Sequence, residues 1–451
     1  MGKYFGTDGV RGIANLELTP ELAFRLGRCG GHALAGESSG ATFVVGRDTR
    51  VSGPMLEAAI VAGLSSIGAS VIHLGVVTTP VVAYLTRHFG ARAGIMISAS
   101  HNPAEDNGVK FFGADGFKLP DEVEQAIEQL LDAPEDRLPR PVGGQLRATS
   151  VDAQAKEAYL RHLKAAVPAR FDGARVVLDC ANGGAYELAP RVFRELGADV
   201  VAIGVAPNGL NINDGCGSLH VEALREEVLR RGAQLGLSLD GDADRLVAVD
   251  ERGAVVDGDE ILYVCASAAK RERRLAKDTI VTTVMSNAGL AQAAGRLGVA
   301  TQRTEVGDRH VVAEMRRGGY NLGGEPSGHV VWLDHATTGD GILAGLLLLD
   351  VVRRTGRRLS ELTRPFERLP QVRADVMVAD RNRLSGNPAI AAVVRRVERE
   401  LGAGGRMVVR ASGTEPVVRI MAEGLERPRI EAYVKELADV IARELSCSLN
   451  A

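Results

Sequence analysis

Hydrophobic residues in this chain gather in short β-branched runs separated by stretches of helical period, and the alternation occurs three times. The runs TFVVGRDTR from Thr42, RVVLDCANGG from Arg175 and TIVTTVMSNAG from Thr279 each predict a strand closing in Gly, Asp or Asn. An amphipathic helix follows each. In the first helix Leu56, Ala59, Ile60, Gly63, Leu64 and Ile67 share one face, Ser52 is placed to cap it and Pro54 suits its first turn. A second strand comes next in each repeat: ASVIHLGVV, ADVVAIGVA and GVATQRTEV. The third runs end in polar loops: GIMIS into ASHNP, LGLSL into DGDADR, and NLGG into EPSGH. Strands alternating with helices predict crossover units on a largely parallel sheet. Ligands bind beyond the carboxyl ends of such strands, so three equivalent loops are expected to converge on one cleft.

Beyond a break at Arg364–Pro370 the script changes. A two-strand unit around Arg406 to Glu423 and a helix from Pro428 to Leu445 predict a smaller α+β domain. At ~150 residues per domain the length fits about three or four domains. The expected division is 1–150, 151–252, 253–366 and 367–451: three topologically related mixed α/β domains, then the α+β domain.

Composition narrows the partners. A net charge of −3 gives no bulk attraction to nucleic acid or an anionic membrane, so any bound anion needs a local site. Only eight of the 54 basic residues are Lys, which makes each Lys less incidental. Cys29, Cys180, Cys216, Cys265 and Cys447 are odd in number and form no CxxC pair, as expected of reduced thiols. The segment MGKYFGTDGVRG lacks the apolar run of a signal peptide. The longest apolar stretch, Ile342 to Leu349, is well short of the ~20 residues of a membrane span. The expectation is a soluble, cytoplasmic protein with no nucleic-acid or membrane partner.

The loops hold the chemistry. Asp240, Asp242 and Asp244 follow an apolar strand at i, i+2 and i+4. Three such carboxylates need a cation, and hard oxygen ligands without His or Cys favour Mg²⁺ or Ca²⁺. A helix–loop–helix calcium site is the alternative, since Glu251 holds its twelfth position; Arg245, where that loop needs Gly, counts against it. Ser100 in SASHNP supplies a hydroxyl beside His101, and with the Asp loop this suits nucleophilic phosphoryl chemistry. In RASGTEP, from Arg410 to Pro416, small hydroxyl residues around Gly413 form an anion nest that Arg410 and Arg419 can complete. Glu325 and Ser327, with His329 behind them, offer hydrogen bonds to neighbouring sugar hydroxyls.

SASHNP, DGDADR, GEPSGH and RASGTEP, in this order behind FGTDGVRG, resemble the α-D-phosphohexomutase family from Tyr4 to Glu423. The resemblance implies four domains around a central cleft, the first three of one topology, and a homodimer. It implies a phosphoserine at Ser100, with Ser100, Asp240, Asp242 and Asp244 holding one Mg²⁺ per subunit. Arg11, His101 and Lys118 match basic residues near that serine, and Arg245 follows the metal loop. Glu325 and Ser327 match sugar-binding residues. Arg410, Ser412, Gly413 and Thr414 match the grip on the non-reacting phosphate, with Arg419 behind. FGTDGVRG, EVGDRH and TTGDGI are most similar to the branch acting on glucosamine phosphates; the mannose/glucose phosphate branch is the alternative. Pro326, where Gln, Asn or Met is commoner, and Glu305, where Lys is commoner, depart from the pattern.

The resemblance implies that phosphorylated Ser100 hands its phosphoryl group to O1 of glucosamine 6-phosphate. The 1,6-bisphosphate turns over in the cleft and returns its 6-phosphoryl group. Three aspartates and a phosphoserine bring about −5, of which Mg²⁺ removes two units, so Arg245, Lys118 and Arg11 are expected nearby. His329, His101 and Lys118 are the candidate general bases, His329 first. Two other classes compete: a metal-dependent phosphatase with Asp240 as nucleophile, and a non-catalytic sugar-phosphate sensor.

Overall fold

The computed structural model describes residues 2–6, 8–36, 40–412 and 416–445. The first sheet contains β1 (Val10–Ile13), β2 (Thr42–Arg47), β3 (Ser70–Val76), β4 (Ala93–Ile97), β5 (Asp106–Gly113) and β6 (Thr149–Val151), in the order β1-β5-β4-β2-β3-β6. The second contains β7 (Arg175–Asp179), β8 (Asp199–Ile203), β9 (Leu235–Leu239), β10 (Leu246–Asp250) and β11 (Val255–Val256), ordered β11-β10-β9-β7-β8. The third contains β12 (Thr279–Thr283), β13 (Ala300–Thr304), β14 (Leu322–Gly324) and β15 (Val330–Trp332), ordered β13-β12-β14-β15.

One motif underlies all three. The first strand of each repeat pairs in parallel with the second on one side and the third on the other. The chain then turns back through an antiparallel strand: β5 on β4, β10 on β9, β15 on β14. The sheets are therefore mixed, and each polar loop lies at that reversal. β6 pairs in parallel with β3 and extends the first sheet to Val151. The β11 hairpin carries the second sheet to Val256.

The helix of the first repeat, Gly53–Ser65, buries Leu56, Ile60 and Leu64 as its period predicts. Its cap differs from expectation. Ser52 makes no capping bond; its Oγ accepts from Asn107 Nδ2 at 2.9 Å. A tertiary partner displaces the local one.

The α+β domain also contains elements beyond the two strands and the helix expected of it. A third strand, β16 (Gln371–Met377), joins β17 (Gly405–Ala411) and β18 (Val417–Gly424) in the antiparallel order β16-β18-β17. A helix, Pro388–Leu401, starts at an Asn387 cap. β16 lies at a sheet edge and is only partly buried; its Arg373 and Asp375 conceal the strand in a hydropathy reading.

One apolar cluster runs from Val44 through Leu178 and Leu237 to Leu346 and Phe366, so the first three units share a core. The helix Gly341–Thr355, buried along Gly341–Val352, contains the longest apolar run and occupies its middle. Residues 378–445 have a separate cluster. Among the described residues no helix is long and apolar enough to cross a membrane. Cys29, Cys180, Cys216 and Cys265 are free thiols; Cys447 lies outside the described residues.

Candidate active site

Because each polar loop leaves the carboxyl end of a central parallel strand, the repeat brings three of them together. Ser100, between β4 and β5, is buried, with φ of 55°. Its Oγ donates to Oδ2 of Asp240 at 2.5 Å, across to the loop between β9 and β10. Nδ1 of His101 lies 3.3 Å from the same hydroxyl.

Asp240, Asp242 and Asp244 each present an oxygen within 4.8 Å of the others. The left-handed turn at Ala243, φ 54°, lets alternate residues face one side. Oδ1 of Asp242 and Oδ1 of Asp244 are buried without a hydrogen-bond partner. Buried orphan carboxylate oxygens are rare and costly, and a divalent cation satisfies them with the hard ligands it prefers. The donor set therefore fits a metal. Burial, then Asp244 and Asp242, push the Asp240 carboxyl well above its ordinary range. Asp244 stays well below that range despite its burial, because Lys110, His329 and Arg245 favour its charge. Glu251 takes no part: it accepts from Ser360, and strands flank the loop, so a helix–loop–helix calcium site is excluded.

The basic residues are arranged differently from expectation. Lys110, on β5, is fully buried and lies 2.7 Å from Asp242 Oδ2, 3.2 Å from Asp244 Oδ2 and 3.0 Å from Asp8 Oδ2. Lys118 meets Asp8 and, at 2.6 Å, Asp308, one shell farther out. Arg11 also pairs with Asp8 and reaches Ala99 O at 3.4 Å. Sequence reasoning missed Lys110, Asp8 and Asp308. The signals were there: a lysine inside the run VKFF of a lysine-poor chain, and the aspartates of FGTDGVRG and EVGDRH.

The candidate bases also separate. Burial, then Arg245 and Arg11, push the His101 imidazole down to about 4, so it is neutral near pH 7. His329 is buried, with Nε2 3.4 Å from Asp308 Oδ2 and Nδ1 3.8 Å from Asp244 Oδ1. Its burial opposes the charged ring, but Asp308 and Asp244 outweigh that and raise it above the ordinary value. The Gly339 N–H, donating to Nε2 at 3.0 Å, opposes this by requiring an unprotonated nitrogen. That bond is shorter than either carboxylate approach. It engages Nε2 as an acceptor.

Two cavities meet at these loops. One, of about 590 Å³, is lined by Asp8, Arg11, His101, Asp244, Asp308 and His329. The other, of about 730 Å³, is lined by Ser327, Arg373, Arg410 and Arg419. Arg245, Val306 and Glu325 line both, which joins them into one cleft. Glu325 Oε1 accepts from Gly307 N–H at 3.0 Å, and Ser327 Oγ is buried without a partner. At the far end Arg410 of β17 is the register partner of Arg419 of β18. Burial and Arg419 both lower the Arg410 guanidinium's affinity for its proton. Like charges paired across strands are unfavourable until an anion joins them. Ser412 is buried and its carbonyl accepts from Arg381 Nη1 at 2.7 Å. Gly413 and Thr414 lie outside the described residues.

A serine held on a carboxylate triad, in a cleft with an arginine pair at its opposite end, belongs to the enzymes that move phosphoryl groups on sugar phosphates. Comparison with known proteins narrows the class. Models of the phosphoglucomutase/phosphomannomutase family match residues 2–137 (alpha/beta/alpha domain I), 157–253 (domain II), 257–369 (domain III) and 372–440 (C-terminal domain). The chain belongs to this family, the α-D-phosphohexomutases. It is 55% identical to the phosphoglucosamine mutase of Brevibacillus brevis over 99% of this chain and 100% of that one. The Bacillus subtilis phosphoglucosamine mutase is 52% identical, with 99% of each chain covered. A phosphoglucomutase/phosphomannomutase family protein from Burkholderia thailandensis shares the fold, with a TM-score of 0.81, 23% identity and 97% of each chain covered. So does the Aspergillus fumigatus N-acetylphosphoglucosamine mutase, with a TM-score of 0.72, 19% identity, and 98% of this chain and 96% of that one covered.

Proposed function

We propose that this protein is a phosphoglucosamine mutase that interconverts glucosamine 6-phosphate and glucosamine 1-phosphate through phosphorylated Ser100, for UDP-N-acetylglucosamine synthesis. The observation that carries the reading is the 2.5 Å contact between Ser100 Oγ and the Asp240 loop, at one end of a cleft whose other end bears Arg410 and Arg419. The full-length relatives of that name support the sugar.

O1 of glucosamine 6-phosphate attacks the phosphoryl group on Ser100, the Oγ–P bond breaks, and the sugar 1,6-bisphosphate forms. Once it has turned, Ser100 Oγ attacks the 6-phosphoryl group and glucosamine 1-phosphate leaves. Such transfer depends on in-line placement and charge neutralisation. Asp240, Asp242 and Asp244, with the Ser100 phosphate, would hold one Mg²⁺, which when bound would supply Lewis-acid charge neutralisation there. Lys110, Arg11 and Arg245 carry the remaining positive charge. Arg410, Ser412, Gly413, Thr414 and Arg419 grip the phosphate that is not reacting, and Glu325 and Ser327 orient the sugar hydroxyls. His101, the neutral imidazole beside Ser100, displaces His329 as first choice for the base. His101→Gln should lose more in kcat than His329→Gln; the reverse order restores His329. The working form is a homodimer in the cytoplasm, to be checked by sedimentation and fractionation.

The test is ³¹P NMR of the protein with Mg²⁺, glucosamine 6-phosphate and a trace of glucosamine 1,6-bisphosphate. Glucosamine 1-phosphate should form with the wild type, more slowly from Ser100→Ala by orders of magnitude, and faster than mannose 1-phosphate forms from mannose 6-phosphate. Release of inorganic phosphate instead of isomer would replace this reading with the Asp240 phosphatase. Binding without turnover would replace it with the sensor.

A further inference from the structure

The loop bearing Ser100 is gripped from behind by two side chains from loops of different units, and both reach the same two carbonyl oxygens. Arg50 follows β2 and is fully buried. Its Nη2 donates to Ser100 O at 3.0 Å and to Asn102 O at 2.8 Å. Asn213, in the second unit, donates with Nδ2 to Ser100 O at 2.9 Å and to Asn102 O at 3.0 Å. Nη1 of Arg50 also reaches Asp106 O at 2.9 Å, together with Pro103 O.

The amide side of Ser100 is held as well. Its N–H donates to Ser98 Oγ at 3.0 Å, and that hydroxyl donates to Asp48 Oδ2 at 2.5 Å. Asp48 is in turn the buried ion-pair partner of Arg50, at 2.9 Å. Both backbone groups of Ser100 are thus fixed by one network, around a residue in a left-handed conformation that L-residues rarely hold without support. The metal loop abuts the same spot: a Cβ on Gly241 would lie 2.5 Å from Ser100 O.

We propose that Arg50 and Asn213 are positioning residues, the two jaws of a clamp that sets Ser100 Oγ against the metal loop for phosphoryl transfer. The proposal rests on the mutase reading above. Its physical basis is steepness: a misplacement of ~1 Å at a reacting centre costs on the order of 100-fold in rate. A buried ion pair adds little net stability, whereas its directional bonds determine where a carbonyl sits. Simple domain glue is the alternative. Thr49 Oγ1 to Asn182 O at 2.5 Å and Val51 N–H to Gly209 O at 2.9 Å already supply that.

The test uses full-length Asn213→Gly and Arg50→Lys. Asn213 has φ of 59°, so glycine adopts the same backbone without strain while removing the side chain that grips the loop. Lysine keeps a charge opposite Asp48 and loses the fork. For each protein kcat and KM for glucosamine 6-phosphate would be measured with Mg²⁺. The thermal midpoint and the ³¹P resonance of the serine phosphorylated by glucosamine 1,6-bisphosphate would be measured beside them. The clamp predicts a loss in kcat of about 10- to 100-fold, a KM within about threefold of wild type, and a shifted or broadened phosphoserine resonance. Wild-type kcat in Asn213→Gly, or a loss that tracks the thermal midpoint with an unmoved resonance, would overturn it. If Arg50→Lys does not fold, Asn213→Gly decides alone. A wild type that turns over no sugar phosphate would sink the mutase reading instead, whatever the variants do.

Discussion

Lys110 and Asp242 form a buried ion pair, Nζ to Oδ2 at 2.7 Å, that joins the first sheet to the metal loop of the second. The same ammonium touches Asp244 and Asp8, so one cation serves three carboxylates. Removing it leaves buried negative charge uncompensated. Lys110→Met is expected to lose about 3–5 kcal/mol of stability in EDTA and to recover much of it on adding Mg²⁺ through linkage. Denaturant titrations with and without Mg²⁺ check this; equal losses in both would mean that the lysine and the metal do not share these carboxylates.

The Arg410–Arg419 pair predicts opposite effects on binding and stability. Charge-assisted bonds to a phosphate contribute about 1.5–3 kcal/mol, so Arg410→Met should raise KM for glucosamine 6-phosphate about 10- to 100-fold. Relief of the cross-strand repulsion should leave the thermal midpoint unchanged or higher. A drop in both would assign Arg410 to the fold rather than to the anion.

Asp340 gives a pH signature. It caps the central helix through Leu343 N–H at 2.9 Å and accepts from Tyr159 Oη at 2.6 Å. Burial outweighs these bonds and pushes its carboxyl up to about 6. Between its ordinary value and that one the folded state holds more protons than the unfolded state, so stability falls as pH rises through the window. Asp340→Asn removes the titration. The stability of the variant relative to wild type should therefore improve by about 2–3 kcal/mol between about pH 4 and about pH 8. Urea unfolding at the two pH values decides; a constant difference would mean an ordinary carboxyl.

Glu423 latches the C-terminal sheet to the third unit. Fully buried, it accepts from Ala288 N–H at 3.1 Å, from Gln371 Nε2 at 2.7 Å and from Arg406. Asn287 pairs with both backbone groups of Leu369 in the connecting segment. Glu423→Gln should loosen that junction before the shared core of the first three units, because residues 378–445 have their own cluster. Limited proteolysis should then cut within 364–371 faster than in wild type. An unchanged cleavage rate there would show that the latch lies elsewhere.

Much of this architecture is local and therefore legible. The parallel strands of all three repeats emerge from β-branched runs, and the acidic loop announces its chemistry by spacing alone. Reading failed where a partner is distant. Ser52 looks like a cap and instead receives Asn107. β16 goes unidentified, because its polar residues face solvent at a sheet edge. Lys118 is expected among the basic residues near Ser100, while Lys110 holds the nearer place on the metal loop.

The sequence by itself determined the repeat and the residue types in each loop, since these depend on periods of two and 3.6 and on side-chain chemistry; the antiparallel reversal after each third strand came from the structure. Only the tertiary structure decided which loops meet. Ser100 finds Asp240 at a separation of 140 residues and Lys110 finds Asp242 at 132. No local pattern encodes such pairings, because they follow from packing three sheets around one apolar core. The charge state of each group follows in turn from that burial and those neighbours.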